Sequence, residues 1–204
     1  MAARKATIVL ASGSAARRRM LEDTGIEFEV EVSDVDEDIV REALSDDDLL
    51  IEPADLAEVL ARAKAEDVAR RVDADIVIGA DQVLSLDGAT YAKPPSIAAA
   101  RRQLLALRGK AHQLHSAVAI VRREERHWTH VDEVTVTMRD YSSAFVGRYL
   151  AAVGAAALES VGCYQIEGPG VQLIEKVEGD YFTILGLPLL PLLAELRRMG
   201  VLDQ

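Results

Sequence analysis

Cysteine, aromatic residues, basic charge and long apolar runs are all scarce in this chain of 204 residues. A single cysteine, Cys163, excludes an internal disulfide and any cysteine-built zinc cluster, and it reads as a small buried hydrophobe. Aromatics make up only 4%, so a core has to be built from Ala, Val, Leu and Ile. No apolar stretch approaches the roughly 20 residues that a membrane-spanning helix needs, so no membrane partner is expected. Lys and Arg number 23 against 34 Asp and Glu, and the resulting charge of −11 argues against a nucleic-acid partner, which would want a basic face. It leaves room for a small anionic substrate, because local cations and a metal set the field inside a cleft. Arg4, Lys5 and the run Ala6–Ala11 imitate a secretory signal. The apolar part is too short, however, and Ser12-Gly13-Ser14 followed by three arginines suits no cleavage site, so a cytoplasmic protein is expected.

What is present is an alternation of strand and helix signals. Ala6–Ala11 is a short β-prone run, and Ser12-Gly13-Ser14 breaks it before a helix over Ala15–Asp23 that Gly25 stops. Phe28–Val32 alternates as a half-buried strand, and acidic stretches follow at Asp34–Asp38 and Asp46–Asp48. Pro53 opens a long helix to about Val72, Asp75–Ala80 and Gln82–Leu86 read as buried strand, and Asp87-Gly88 signals a hairpin. Ser96 and Ser142 cap helices ending before Gly109 and near Val153. Ala111–Arg122 and His127–Arg139 form a β-ribbon joined at Arg123–Arg126, Val171–Ile174 reads as a strand, and Pro188 starts the last helix. The pattern predicts an α/β fold in one domain over residues 1–204: a mixed twisted sheet with flanking helices, in two lobes around a cleft.

Three groups of residues could carry chemistry. Ser12-Gly13-Ser14 with Arg17 joins a strand to a helix N-terminus, where free N–H groups, the dipole, hydroxyls and arginines attract phosphate. The competing reading is a capped helix with solvated arginines. Asp81 stands at the end of a buried strand after Gly79-Ala80, where α/β sheets place ligand groups, and the hairpin can return Lys93 to the same rim. Together Asp81 and Lys93 suit metal-assisted phosphoryl chemistry, although each alone also reads as a surface charge. Lys64, inside an apolar helix, reads by itself as solvent-facing, and Asp36-Glu37-Asp38 offers further carboxylates. The pairs His112/His115 and His127/His130 fall in strands, where an offset of three sends side chains to opposite faces and argues against shared metal ligation.

Taken together these segments resemble the Maf family of nucleotide pyrophosphatases over nearly the whole chain. The similar blocks are Leu10–Ser14 with Arg17, Lys64-Ala65, Gly79–Asp81 through Lys93-Pro94, Leu107–His112, Gly162–Gly168, and Gly179–Tyr181 with Gly186–Pro188. The resemblance implies a Maf/ITPase-like fold with a deep nucleotide-binding cleft, usually in a homodimer. It implies hydrolysis of a nucleoside triphosphate to the monophosphate and pyrophosphate with Mg²⁺, Mn²⁺ being the second candidate. Ser12, Arg17, Lys64 and Lys93 would hold phosphates, Glu37 and Asp81 the metal, and Asp81 would also be the general base. Positions 16, 82 and 167 resemble Arg, Thr and Gln in the dTTP/UTP type, and Trp, Gln and Glu in the 7-methyl-GTP type. This chain has Ala16, Gln82 and Glu167, which is closer to the second. The alternatives are a dTTP/UTP pyrophosphatase and a nucleotide-binding regulator of cell division with little turnover.

Overall fold

The computed structural model describes residues 6–44, 51–122 and 127–203. In chain order the elements are β1 (Ile8–Ala11), α1 (Ala15–Glu22), β2 (Glu29–Val30), α2 (Glu37–Leu44), α3 (Pro53–Ala69), β3 (Ile76–Leu86), β4 (Ala89–Tyr91) and α4 (Ile97–Leu107). They continue with β5 (Ala111–Arg122), β6 (His127–Met138), α5 (Ser143–Val153), three 3-10 segments, β7 (Ile174–Glu178), α6 (Tyr181–Ile184) and α7 (Leu189–Arg198). The strands form one mixed sheet in the order β2-β1-β3-β5-β6-β7, with β4 paired to β3. β1 runs parallel to β3, whereas β5 runs antiparallel to it along ten registered pairs.

The long strand β3 explains the two-lobed plan. On the same side of the chain order, β1 pairs with residues 76–79 of β3 and β4 with residues 84–86, which leaves 80–83 between them. The core divides near the same place. Ile78 and Ala80 pack with α1 and α7 on one face, Val77 and Val83 pack with α3 on the other, and Leu84 and Leu86 join a separate cluster with α4 and α5. Ligand groups of α/β sheets gather where neighbouring strands part in this way.

The close seat of α3 on the sheet depends on Gly79. A Cβ there would lie 2.1 Å from the Ala61 carbonyl oxygen and 2.8 Å from the Ala65 amide nitrogen. Ala57, Ala61 and Ala65 supply the matching small-residue face, each fully buried. The turn at Asp87-Gly88 has φ of 52° and 81°, the two left-handed conformations that a two-residue hairpin requires.

Two strand expectations need correction. Phe28–Val32 contributes only Glu29–Val30, because β2 is the sheet edge: Val30 and Val32 are 39% and 54% exposed and only Phe28 reaches the core. Val171–Leu173 belongs to a 3-10 segment opened by Pro169, and the strand begins at Ile174. Gly170 packs so tightly on Gln165, 2.6 Å from a Cβ position to its N and O, that the chain turns on itself before straightening. Helix α2 grew from a stretch that read only as acidic. Asp36 starts it by accepting from the amides of Asp38 and Ile39. Asp46–Asp48 and the expected junction of the ribbon at Arg123–Arg126 lie outside the described residues.

Candidate active site

Helix α3 crosses β3 at Gly79, which sets Lys64 over Asp81. Lys64 Nζ donates to Asp81 Oδ1 at 2.5 Å and to Glu37 Oε1 at 2.6 Å, so one ammonium bridges two carboxylates. Its side chain is 12% exposed, which corrects the solvent-facing reading, and those of Asp81 and Glu37 are 5% and 36% exposed. The competing reading of Asp81 as a loop acid also falls, because it lies inside β3. Glu37 reaches the site from the first turn of α2, where Arg41 Nη2 lies 3.9 Å from its other oxygen.

The two carboxylates differ electrostatically. Burial is the largest influence on Asp81 and raises its pKa, Glu37 adds to the rise, and the charges of Lys64 and Arg17 only partly oppose it. Burial also raises Glu37, but there Lys64, by charge and hydrogen bond, together with Lys93 and Arg41, outweighs it and leaves the pKa below the ordinary value. Lys93, exposed on the segment after β4, is thus within electrostatic reach of the same site. Asp81 Oδ2 is buried without a hydrogen-bond partner among the described residues, an unusual state for a buried polar atom.

Ser12, Ser14 and Arg17 shape the neighbouring corner. Ser14 caps α1 by accepting from the Arg17 amide at 3.3 Å, and Ser12 Oγ accepts from the Ser14 amide at 3.3 Å and from Arg17 Nη1 at 3.2 Å. Arg17 also donates from Nη1 to the Ala80 carbonyl at 2.8 Å and from Nε to the Gly186 carbonyl at 2.7 Å. Ser14 thus caps α1, as the competing reading has it, but Arg17 is held by protein groups rather than solvated. The guanidinium fastens the part of β3 between its β1 and β4 pairings to the C-terminal segment, while Nη2 has no hydrogen-bond partner among the described residues. Burial lowers the Arg17 pKa, with Asp81 and Glu37 opposing the shift.

Ala16 and Glu167 line one cleft of about 550 Å³, along with Tyr181, Phe182, Leu185 and Leu189. Gln82 lies behind its wall. The Gln82 amide donates to Ser116 Oγ at 2.9 Å, the Thr183 carbonyl at 3.1 Å and the Ile184 carbonyl at 3.2 Å. The α6 wall had no role assigned from sequence, although Asp180 three residues before Thr183 is a helix-cap spacing that announces it.

The histidines have other partners. His112 Nε2 meets the Tyr164 hydroxyl at 2.7 Å, His115 Nε2 meets Ser85 Oγ at 2.9 Å, and His130 Nε2 meets Asp132 at 2.9 Å.

Asp81 and Glu37 can be tested as a divalent-cation site on their own chemistry. Both offer hard oxygen donors, and one buried Asp81 oxygen is unpartnered. Among the described residues no third His, Cys, Asp or Glu joins them. That suits Mg²⁺, which takes one or two carboxylates and completes its shell with water and substrate phosphates.

A family model described as Maf-like protein matches residues 7–199. The chain is 52% identical to the 7-methyl-GTP pyrophosphatase of Mesorhizobium japonicum over 96% of this chain and 98% of that protein. It is 47% identical to the nucleoside triphosphate pyrophosphatase of Granulibacter bethesdensis, over 94% and 96% of the two chains. Among solved structures, the Staphylococcus aureus Ham1 protein is similar with a TM-score of 0.41 and 18% identity, over 66% of this chain and 72% of that one.

Proposed function

This chain belongs to the Maf family, and from that premise we propose that it hydrolyses a nucleoside triphosphate to the monophosphate and pyrophosphate. The observation that carries the reading is the buried Asp81 carboxylate, with one oxygen unpartnered and the other bound to a lysine beside a phosphate-suited helix N-terminus. Asp81 takes a proton from the attacking water. The water oxygen bonds to the α-phosphorus, the bond from that phosphorus to the α,β-bridging oxygen breaks, and pyrophosphate leaves with the electron pair. A carboxylate with a raised pKa is a stronger base than an ordinary one, which fits the role.

Ser12, Nη2 of Arg17, Lys93 and the first amides of α1 orient the triphosphate, while Lys64 keeps Asp81 and Glu37 within reach of one another. Asp81 and Glu37 would hold a divalent cation, Mg²⁺ or Mn²⁺, which when bound neutralises charge on the phosphates.

The base in this reading is a modified purine such as 7-methylguanine. Guanine presents N1–H and the 2-amino group side by side, and the exposed Glu167 carboxylate in the cleft can accept both. Uracil and thymine would set a carbonyl against it. In the same reading the enzyme is a cytoplasmic homodimer that clears unwanted nucleotides. Pyrophosphate release from 7-methyl-GTP, GTP, dTTP and UTP with Mg²⁺ tests it. The highest kcat/KM is expected for 7-methyl-GTP. A pyrimidine preference overturns the base assignment, and the absence of pyrophosphate with every nucleotide overturns the reaction in favour of a regulator.

A further inference from the structure

The cleft that holds Ala16 and Glu167 has an aromatic wall on a very short element. Tyr181 lines it, is 55% exposed, and meets Phe182 edge-on with ring centroids 5.9 Å apart at 70°. Four residues of helix cannot hold themselves in place, and α6 is fastened from both ends. Asp180 accepts from the Thr183 amide at 2.9 Å and hydroxyl at 3.2 Å. At the other end the Gln82 amide binds the Thr183 and Ile184 carbonyls, and Ser116 donates to the Thr183 carbonyl at 2.7 Å. Gln82 directly follows Asp81, so the strand that presents the carboxylate also clamps the element that presents the ring.

We infer that Tyr181 is the stacking platform for the substrate base and that Gln82 is a positioning residue that holds this platform through α6. The inference rests on the pyrophosphatase reading above. Three observations support it. The cleft adjoins the phosphate corner, since Ala16 precedes Arg17 and Leu185 precedes Gly186, whose carbonyl Arg17 binds. Its walls carry the acids Glu167 and Asp23 against one base, Arg19, which lies 3.8 Å from Asp23. A ring face and an excess of negative charge suit a flat cationic base, such as a purine alkylated at N7. Finally, Ala16 offers no ring, and the sole tryptophan, Trp128, stacks on His130 and does not line this cleft, so Tyr181 and Phe182 are its aromatic surface.

The test compares Tyr181→Leu and Tyr181→Phe. The exposed position makes both tolerable to the fold. For 7-methyl-GTP, Tyr181→Leu is expected to raise KM roughly 5- to 30-fold with kcat within about twofold, and Tyr181→Phe to stay near wild type. Calorimetric binding of inorganic tripolyphosphate should be equal in all three. Gln82→Met should raise the same KM, and the double variant with Tyr181→Leu should add little to either single change. An unchanged KM in Tyr181→Leu, equal damage in Tyr181→Phe, or weakened tripolyphosphate binding overturns the platform. Additive effects overturn the role of Gln82. Failure of the underlying reading is separate: the wild type then releases no pyrophosphate, and calorimetric binding of 7-methyl-GTP to wild type and Tyr181→Leu still decides the platform.

Discussion

Lys64 and Lys93 carry the same charge and resemble each other in sequence, yet their surroundings give them different energetics. Lys64 is nearly buried between Asp81 and Glu37, so Lys64→Ala leaves a buried carboxylate without its cation. Thermal or urea unfolding should show a loss on the order of 3 kcal/mol at neutral pH. That loss should shrink on acidification, because protonating Asp81 removes the unpaired charge. Lys93→Ala, at an exposed position, should change stability by less than about 0.5 kcal/mol while still raising KM. Equal stability effects in the two variants would contradict this geometry. Asp81 permits a kinetic test with a definite sign. Its raised pKa means that the base form is lost at a higher pH than for an ordinary carboxylate, so the acid limb of the kcat/KM profile should lie above the usual carboxylate range. Asp81→Asn is nearly isosteric and should lower kcat by about 10²–10⁴ and abolish that limb, with nucleotide binding better preserved. A wild-type rate in this variant would remove Asp81 from the base role.

At the scale of elements, the pairing of α3 with β3 builds the site, and Gly79 is its weakest point for substitution. Gly79→Ala adds one methyl group that must displace the Ala61 carbonyl, 2.1 Å away and part of helix backbone. Stability should fall by about 1–3 kcal/mol or more, the usual range for overpacking. Activity should fall further than in Lys93→Ala, because α3 carries Lys64 away from Asp81. An active Gly79→Ala protein of wild-type stability would show that the contact is not needed. This junction was half legible beforehand. Local signals identified β3, α3 and the hairpin, since apolar runs, Pro53 and Asp87-Gly88 act over a few residues. They misread Lys64 as solvent-facing, because burial depends on which face of α3 meets the sheet. They also misplaced β2 and the strand near Val171, whose conformations are decided by edge position and by the packing of Gly170 on Gln165. Ala16 and Glu167 come together in one cleft, whereas Gln82, which had been grouped with them, acts from behind its wall. A three-dimensional hydrogen-bond network of that kind leaves no periodic trace in sequence.

In the molecule as a whole, the proposed site lies where one sheet is shared by two bodies of core. β3 passes from the clusters around α1, α3 and α7 into the cluster around α4 and α5, and Asp81 sits at the passage. Lys64 and Arg17 approach from the first body, and Lys93 follows β4 on the second. A triphosphate held by Arg17 and Lys93 would therefore tie the two bodies together, and binding should register as stability of the whole chain. The chain carries a charge of −11, so the site must draw a polyanion against the average field, and that attraction depends on local cations that salt can screen. Asp81→Asn is the suitable protein for the measurement, since it binds without consuming the ligand. At a nucleotide concentration 100 times Kd, binding to the folded state adds about 2.7 kcal/mol. For a chain of this length that corresponds to a rise in Tm of roughly 5–10 °C. The rise should be smaller in a Lys93→Ala background and should diminish as ionic strength increases. A Tm that does not respond to nucleotide at saturating concentration would mean that the passage between the two bodies of core is not where nucleotide binds.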